Sequence, residues 1–343
     1  MNKNIFIPGR LCIMGEHSDW AAGHRRQNSD INKGYAIIVP TNEGNYAHVK
    51  KTNQKCLTYI KNNHKINLPY NLKKLKKIAE EGKFFSYIAG VLYQILSSYN
   101  NISGLEINNY KSSIPLKKGL SSSASVCVLI TRAYNKAFGL NWTIKREMEI
   151  AYLGETTTPS RCGKLDQACA FSCPVLIEFD GDSIELNPIN ITTPIYMIIV
   201  DLHSNKDTKK ILSKLNIGFP FPSNMLEKKK HMYFNKINKD NVFTAKKYIE
   251  TGDIKNLGKI LNKSQKDFDR YLAPSCPEEL TAPKLHKIIQ SPLIKEKILG
   301  AKGVGSQGDG TAQILVNSIK HQEEVISILE ANYDVSCIKL TVD

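Results

Sequence analysis

The sequence predicts a two-domain α+β protein, and three observations carry that prediction. The chain has 343 residues, more than one compact core holds when domains run to roughly 100–200 residues. Its hydrophobic share of 41% fits a globular protein. Strand-like and helix-like segments follow one another irregularly, with no internal repeat, low-complexity linker or long disordered tail.

The elements read as follows. Residues 4–14 carry β-branched residues in loose alternation and predict a strand. Residues 15–33 are polar and charged, a loop held between that strand and the apolar run 34–40. Apolar residues at helical spacing over 84–96 predict a helix, and 102–108 a strand. A helix is expected over 123–138, stopped by Gly139, and another over 143–155. Residues 175–179 and 195–201 read as strands. Two prolines and few large apolar residues in 187–194 place a domain boundary near 194, giving domains 1–194 and 195–343. Beyond it come helical stretches to about 300, a strand at 311–317, a helix at 321–331 and a strand at 335–342.

Bulk chemistry narrows the function classes. The longest apolar stretch, 195–200, is far short of the roughly 20 residues a membrane helix needs. No secretory h-region precedes the first charges. A cytoplasmic protein without a membrane partner is expected. The eight cysteines include no C-x-x-C pair and read as free thiols rather than a zinc site. The net charge of +15 is spread along the chain. The lysine runs at 73–77 and 228–230 fall in helix-like segments and read as solvated faces. Without aromatic–basic interleaving, no nucleic-acid partner is expected, although a basic field attracts anionic substrates.

Four stretches carry chemistry. GLSSSAS, residues 119–125, precedes a helix. Its backbone N–H groups, helix dipole and hydroxyls suit a phosphate, and a plain polar turn with a capping serine suits the pattern equally. It is not a G-x-x-x-x-G-K-[ST] loop. GVGSQGDGT, residues 303–311, contains G-x-G-x-x-G, but KEKILGAK before it is no clear buried strand and TAQILVN after it looks like one, so a dinucleotide fold is rejected. GEHSDWAAGH places Glu16, His17 and Asp19 in one short loop, donors and acceptors that suit sugar hydroxyls. RCGKLDQACA sets Asp166 among small residues, where a carboxylate can accept a hydroxyl proton or simply cap a helix.

Taken together these stretches resemble the GHMP kinase superfamily, the group of galactokinase, homoserine kinase, mevalonate kinase and phosphomevalonate kinase. PGRLCIMGEHSD resembles its N-terminal signature, in the galactokinase form. PLKKGLSSSAS resembles its central ATP-binding signature, and RCGKLDQ the galactokinase C-G-x-x-D-Q segment. KFFSYIAGVL resembles a galactokinase helix that brings an aromatic near the adenine. The resemblance implies an N-terminal ribosomal-protein-S5-like domain, a C-terminal ferredoxin-like α+β domain, and ATP between them. It implies an ATP- and Mg²⁺-dependent kinase for a small sugar or sugar derivative, acting on the anomeric hydroxyl in the galactokinase manner.

Carried over residue by residue, it implies ATP binding by Pro115, Gly119, Leu120, Ser121, Ser122, Ser123, Ala124 and Ser125, and Mg²⁺ binding by Ser123 and Glu155. Asp166 is implied as catalytic base and substrate ligand, Arg10 as the arginine that positions or polarises the reacting groups, and Glu16, His17 and Asp19 as sugar ligands. Alternatives on the same scaffold are a mevalonate-type alcohol kinase and a catalytically silent sugar or nucleotide sensor. The sequence also departs from galactokinases. After Asp19 it has Trp20, Ala21, Ala22 and Gly23 in place of a Tyr-Asn-Gly-Gly-like run, no Y-N-x-R-R-x-E-C segment, and a third glycine motif with fewer consecutive glycines. Arg25 and Arg26 follow as candidates to meet an acidic group on the substrate, or as a solvated basic loop.

Overall fold

The computed structural model describes residues 3–83, 85–99, 102–114, 119–160 and 162–343. Along the chain, β1 (Lys3–Met14), the short helix α1 (Ser18–Gly23) and the long strand β2 (Gly34–Thr52) come first. The hairpin β3 (Cys56–Lys61) and β4 (His64–Pro69) leads to α2 (Leu72–Glu80), α3 (Ser86–Ser98), β5 (Gly104–Ser112), α4 (Ser122–Phe138) and α5 (Ile144–Thr156). Then follow β6 (Val175–Asp180), β7 (Ser183–Pro188), β8 (Ile195–Asp201), α6 (Thr208–Asn216), α7 (Met225–Met232), α8 (Asn238–Thr251) and α9 (Ile254–Tyr271). The chain ends with α10 (Pro277–Leu280), α11 (Pro283–Ile289), β9 (Ile298–Gly303), β10 (Thr311–Val316), α12 (Ile319–Asn332) and β11 (Ser336–Val342).

These elements pack as two compact units, Met1–Arg10 with Pro40–Ser172, and Leu11–Val39 with Cys173–Asp343. This division is not a single cut near 194, because the chain leaves the first unit within β1 and re-enters it within β2.

In the first unit, β5 lies between β2 and β3, antiparallel to the former and parallel to the latter, so Ile107 faces both Val49 and Tyr59. Helices α3, α4 and α5 pack around a core that includes Val91, Leu92, Val128 and Leu129. α3 and α5 approach at two glycines. A Cβ on Gly90 would stand 2.2 Å from the Gly154 carbonyl oxygen, and one on Gly154 2.5 Å from Val91 Cα. No side chain fits there, and the contact fixes the position of Glu155, the next residue on α5. Gly139 ends α4 at φ 65°, a left-handed C-cap, where the sequence expects a stop.

In the second unit, the N-terminal part of β2 pairs with β6 and β6 with β7. A separate four-stranded sheet runs in the order β11-β8-β10-β9. Its core face gathers Ile198, Val200, Ile314 and Val316 against α11 and α12. A further cluster unites Ala21, Ile211, Leu215, Phe234 and Phe268, with Trp20 packed on it.

Three details differ from the sequence reading. The loop at 15–33 contains α1. KEKILGAK supplies the buried strand β9, hidden in the sequence because Gly300 lies against Gly258, where a Cβ would meet the Gly258 oxygen at 2.0 Å, and because Lys302 is neutralised from afar. Lys230 is 1% exposed rather than solvated. Its ammonium donates to the carbonyls of Leu215 at 3.2 Å, Lys214 at 3.3 Å and Ile217, capping the C-terminus of α6.

Candidate functional site

In the first unit, the chemistry gathers where β1, the loop before α4 and the turn at Asp166 meet. Arg10 is 5% exposed. Its backbone N–H donates to the Leu120 carbonyl at 3.2 Å and its guanidinium to the Gly119 carbonyl at 2.8 Å, so one residue pins the approach to the serine loop twice. The same guanidinium pairs with Asp166 Oδ1. Ser121 Oγ donates to that oxygen at 2.7 Å. Asp166, which begins a single 3₁₀ turn, therefore has one oxygen held by a cation and a hydroxyl. The close approach of this loop to β1 needs Gly9, where a Cβ would lie 2.9 Å from the Leu120 carbonyl oxygen.

Ser121 precedes α4 in a left-handed conformation, φ 56°, with no side-chain cap. Non-glycine residues in that region cost on the order of 1–3 kcal/mol. Since its hydroxyl is committed to Asp166, the first-turn N–H groups of Ser122, Ser123 and Ala124 have no capping side chain, the arrangement in which a helix N-terminus receives an anion. The other serines divide. Ser123 Oγ donates to Glu155 Oε1 at 2.7 Å. Ser125 is fully buried, its hydroxyl donating to the Ile7 carbonyl at 3.3 Å and accepting from Asn45 at 2.9 Å, so its side chain belongs to the core. Pro115 lies outside the described residues, as does Phe84 of the KFFSYIAGVL stretch.

Glu155 is 1% exposed at the end of α5. Gln167 Nε2 donates to its Oε2 at 2.9 Å. Burial first, and the neighbouring Asp166 charge second, push its carboxyl from 4.5 up to about 7. Ser123 Oγ and Glu155 Oε1 form an adjacent pair of hard oxygen donors. One carboxylate and one hydroxyl suit a Mg²⁺ ion that keeps its remaining positions for phosphates and water.

The second unit holds the remaining sequence candidates. Gly15 turns at φ 98°, and a Cβ there would stand 2.1 Å from the Tyr35 carbonyl oxygen. Glu16 is buried and pairs with Lys302, itself 1% exposed on β9. His17, left-handed at φ 69°, precedes α1 at its N-cap. Its ring stacks on Phe268 at 6.2 Å between centroids, and its Nδ1 accepts from the Trp20 indole at 3.0 Å. Indole nitrogen only donates, so the ring proton sits on Nε2. That Nε2 faces the Ser306 backbone without closing a hydrogen bond. Burial, with Lys206 and Lys302 adding to it, lowers the imidazole from 6.5 to about 3. Asp19 is partly buried on α1.

Several site groups escape a reading of the sequence: Gln167 on Glu155, Lys302 on Glu16, Trp20 on His17, and Lys206, whose ammonium donates to the carbonyls of Gln307 at 2.6 Å and Val304 at 3.2 Å. A lysine inside an otherwise apolar strand, as at Lys302, is the one sequence signal among them. Arg25 and Arg26 are engaged by carboxylates, Arg25 with Asp180 at 2.6 Å and Arg26 with Asp182 at 3.0 Å, so the sequence candidates for an acidic substrate group are already paired.

Residues 86–173 match the family model described as GHMP kinases N terminal domain. That match covers the part of the chain holding α4, Glu155 and Asp166. Its relatives include a galactokinase of Thermotoga maritima, 23% identical over 97% of this chain and 96% of that protein. Among solved structures, Lactococcus lactis galactokinase complexed with galactose superposes with a TM-score of 0.74, at 18% identity, over 99% of this chain and 93% of that one. Methanococcus jannaschii mevalonate kinase gives 0.73 at 18% identity over 100% and 98%. The fold is that of the GHMP kinases, mixed helices and sheets in two units.

Proposed function

We propose that this protein is a sugar kinase that transfers the γ-phosphoryl group of ATP to a sugar hydroxyl, the anomeric one by analogy with galactokinases. One observation carries the reading: Asp166 is held by Arg10 and Ser121 at the loop that opens α4, and Ser123 on the first turn of α4 pairs with Glu155 at the end of α5. The galactokinase relatives add the sugar. The uncapped N–H groups of Ser122, Ser123 and Ala124 receive the phosphates, with Gly119 and Leu120 shaping the loop.

In the transfer, the acceptor O–H bond breaks as the new O–P bond forms and the bond to the leaving ADP breaks. Asp166 orients the hydroxyl and takes its proton on the oxygen not held by Ser121 and Arg10. Arg10 keeps the carboxylate in place while charge develops on the equatorial oxygens. Ser123 and Glu155 would hold Mg²⁺, which when bound neutralises phosphate charge. Glu16, His17 and Asp19 serve acceptor binding in this reading. A mevalonate-type alcohol kinase shares the fold, and GEHSD favours the sugar. A silent sensor would not need the Arg10–Asp166–Ser121 set.

ADP release from Mg·ATP across neutral hexoses, pentoses, uronic acids, sugar phosphates and mevalonate tests the proposal, with Asp166→Asn as control. The expected result is turnover with a sugar that drops by roughly 10²–10⁴-fold in the variant. Binding of ATP without turnover of any acceptor would overturn it in favour of a sensor.

A further inference from the structure

The segment 303–311 connects β9 to β10 through three left-handed residues, Gly305 at φ 64°, Gln307 at φ 64° and Gly308 at φ 71°. Lys206, just beyond β8, runs its side chain along this loop. A Cβ on Gly310 would lie 2.8 Å from Lys206 Cε, so glycine is what lets the lysine through. The ammonium has three donors, and two of them are used on the carbonyls of Gln307 and Val304. Carbonyls satisfy hydrogen bonds but do not cancel a charge. Lys302 has Glu16, Arg25 has Asp180 and Arg26 has Asp182. Among the described residues no carboxylate bonds to Lys206; Glu16, already paired with Lys302, is near enough to favour its charge, so two ammoniums share one carboxylate, and burial still lowers Lys206 from 10.5 to about 8.

His17 adds a second donor beside it. Its Nε2–H, in a residue 8% exposed, is buried and closes no hydrogen bond of good geometry, the Ser306 backbone of the same loop being what it faces, and the Lys206 charge reaches the ring. A neutral hydroxyl would satisfy the imidazole and leave Lys206 and Lys302 with the single Glu16 carboxylate between them, one positive charge in excess. An oxyanion satisfies both at once. Resting on the acceptor role given above to His17, we propose that the acceptor sugar carries a carboxylate or phosphate group, received by Lys206 Nζ and His17 Nε2 at the 303–311 loop.

Trp20 reports on this place directly, because its indole is bonded to His17. Of the two tryptophans, Trp142 is replaced by Phe in the full-length protein so that only Trp20 emits. Its fluorescence is titrated with D-galactose, D-galacturonate, galactose 6-phosphate and inorganic phosphate. The expected result is saturable binding of one or more anions at least tenfold tighter than galactose. The uronate and the sugar phosphate then tell the two anion types apart. Lys206→Gln keeps an N–H₂ for the loop carbonyls and removes the charge. It should weaken the anion by roughly 10–100-fold, leave galactose unchanged, and be rescued by Lys206→Arg. Galactose binding as tightly as every anion, or equal losses for neutral and charged ligands, overturns the proposal. Should Lys206→Gln fail to fold by circular dichroism, the ligand ranking on the parent protein decides alone. Turnover is scored separately. ADP release with neutral sugars and no anion preference defeats this inference and leaves the kinase. Anion preference at Trp20 without ADP release from any acceptor supports the site and defeats the kinase.

Discussion

Replacing Glu155 by Gln should stabilise the protein at pH 8 and inactivate it. The native carboxyl is raised from 4.5 to about 7, with burial the first cause. Between those values the folded chain holds a proton that the unfolded chain has released, so this group's contribution to stability falls as pH rises from about 4.5 to about 7 and is flat above. At about 1.4 kcal/mol per pH unit the full penalty is about 3 kcal/mol. The neutral amide of Glu155→Gln escapes it and fits. Its oxygen accepts from Gln167 Nε2, and its N–H₂ donates to Ser123 Oγ, which accepts as readily as it donates. The assay is urea unfolding without nucleotide, with Trp20 replaced by Phe so that Trp142, whose indole donates to Tyr99 at 2.8 Å, reports the first unit. The variant should gain about 3 kcal/mol over its parent at pH 8 and about 1 kcal/mol at pH 5, a midpoint shift near 1 M at the upper pH. Comparing the variant with its parent cancels every other titrating group. Parallel pH profiles would refute the argument, because they would mean that Glu155 carries no penalty for ionising where it lies. Loss of turnover alongside the gain is expected if this carboxylate holds the metal.

Other perturbations follow from the same geometry. Gly154→Ala drives a methyl to 2.5 Å from Val91 Cα, and thermal or urea unfolding should show a loss of about 2 kcal/mol or more. Ser121→Ala leaves Asp166 Oδ1 held by Arg10 alone and should lower kcat by about tenfold with ATP binding nearly unchanged, as read in steady-state kinetics. The His17 ring, lowered to about 3, should show no titration in NMR ring spectra between pH 5 and 8. The unfolded ring gains its proton near 6.5, so the contribution of His17 to stability declines as pH falls from about 6.5 towards 3.

Much of this was legible in the sequence because local chemistry sets it. The helix expected at 123–138 is α4 at Ser122–Phe138, ended by Gly139, because apolar spacing and a left-handed stop are local signals. Arg10 and Asp166 could be marked as chemistry only by their motifs, and a sequence separation of 156 hid their pairing. Ser125 looks like its neighbours in GLSSSAS, yet the helical turn rotates its hydroxyl onto Asn45. β9 failed as a strand on paper because its Lys302 needs Glu16 to be tolerable in a core, and its Gly300 needs Gly258. Lys230 read as surface because the open carbonyls of α6 that demand it lie on another element. What sequence patterns miss here is polar groups whose partners arrive from distant segments.

In the acceptor role proposed for His17, the indole of Trp20 has a consequence for the kinds of sugar that can be told apart. With Nδ1 occupied by a donor, the imidazole offers its surroundings a single N–H and nothing that accepts. A ligand atom placed against Nε2 must bring a lone pair. A protonated amino group has none, and the lysine ammonium nearby repels it as well. The proposed site therefore disfavours amino sugars bearing their positive charge at that position on two counts, while their N-acetylated forms, which present a carbonyl oxygen, are not disfavoured by charge. The tryptophan thus fixes, from one side of the ring, the sign of what the other side accepts.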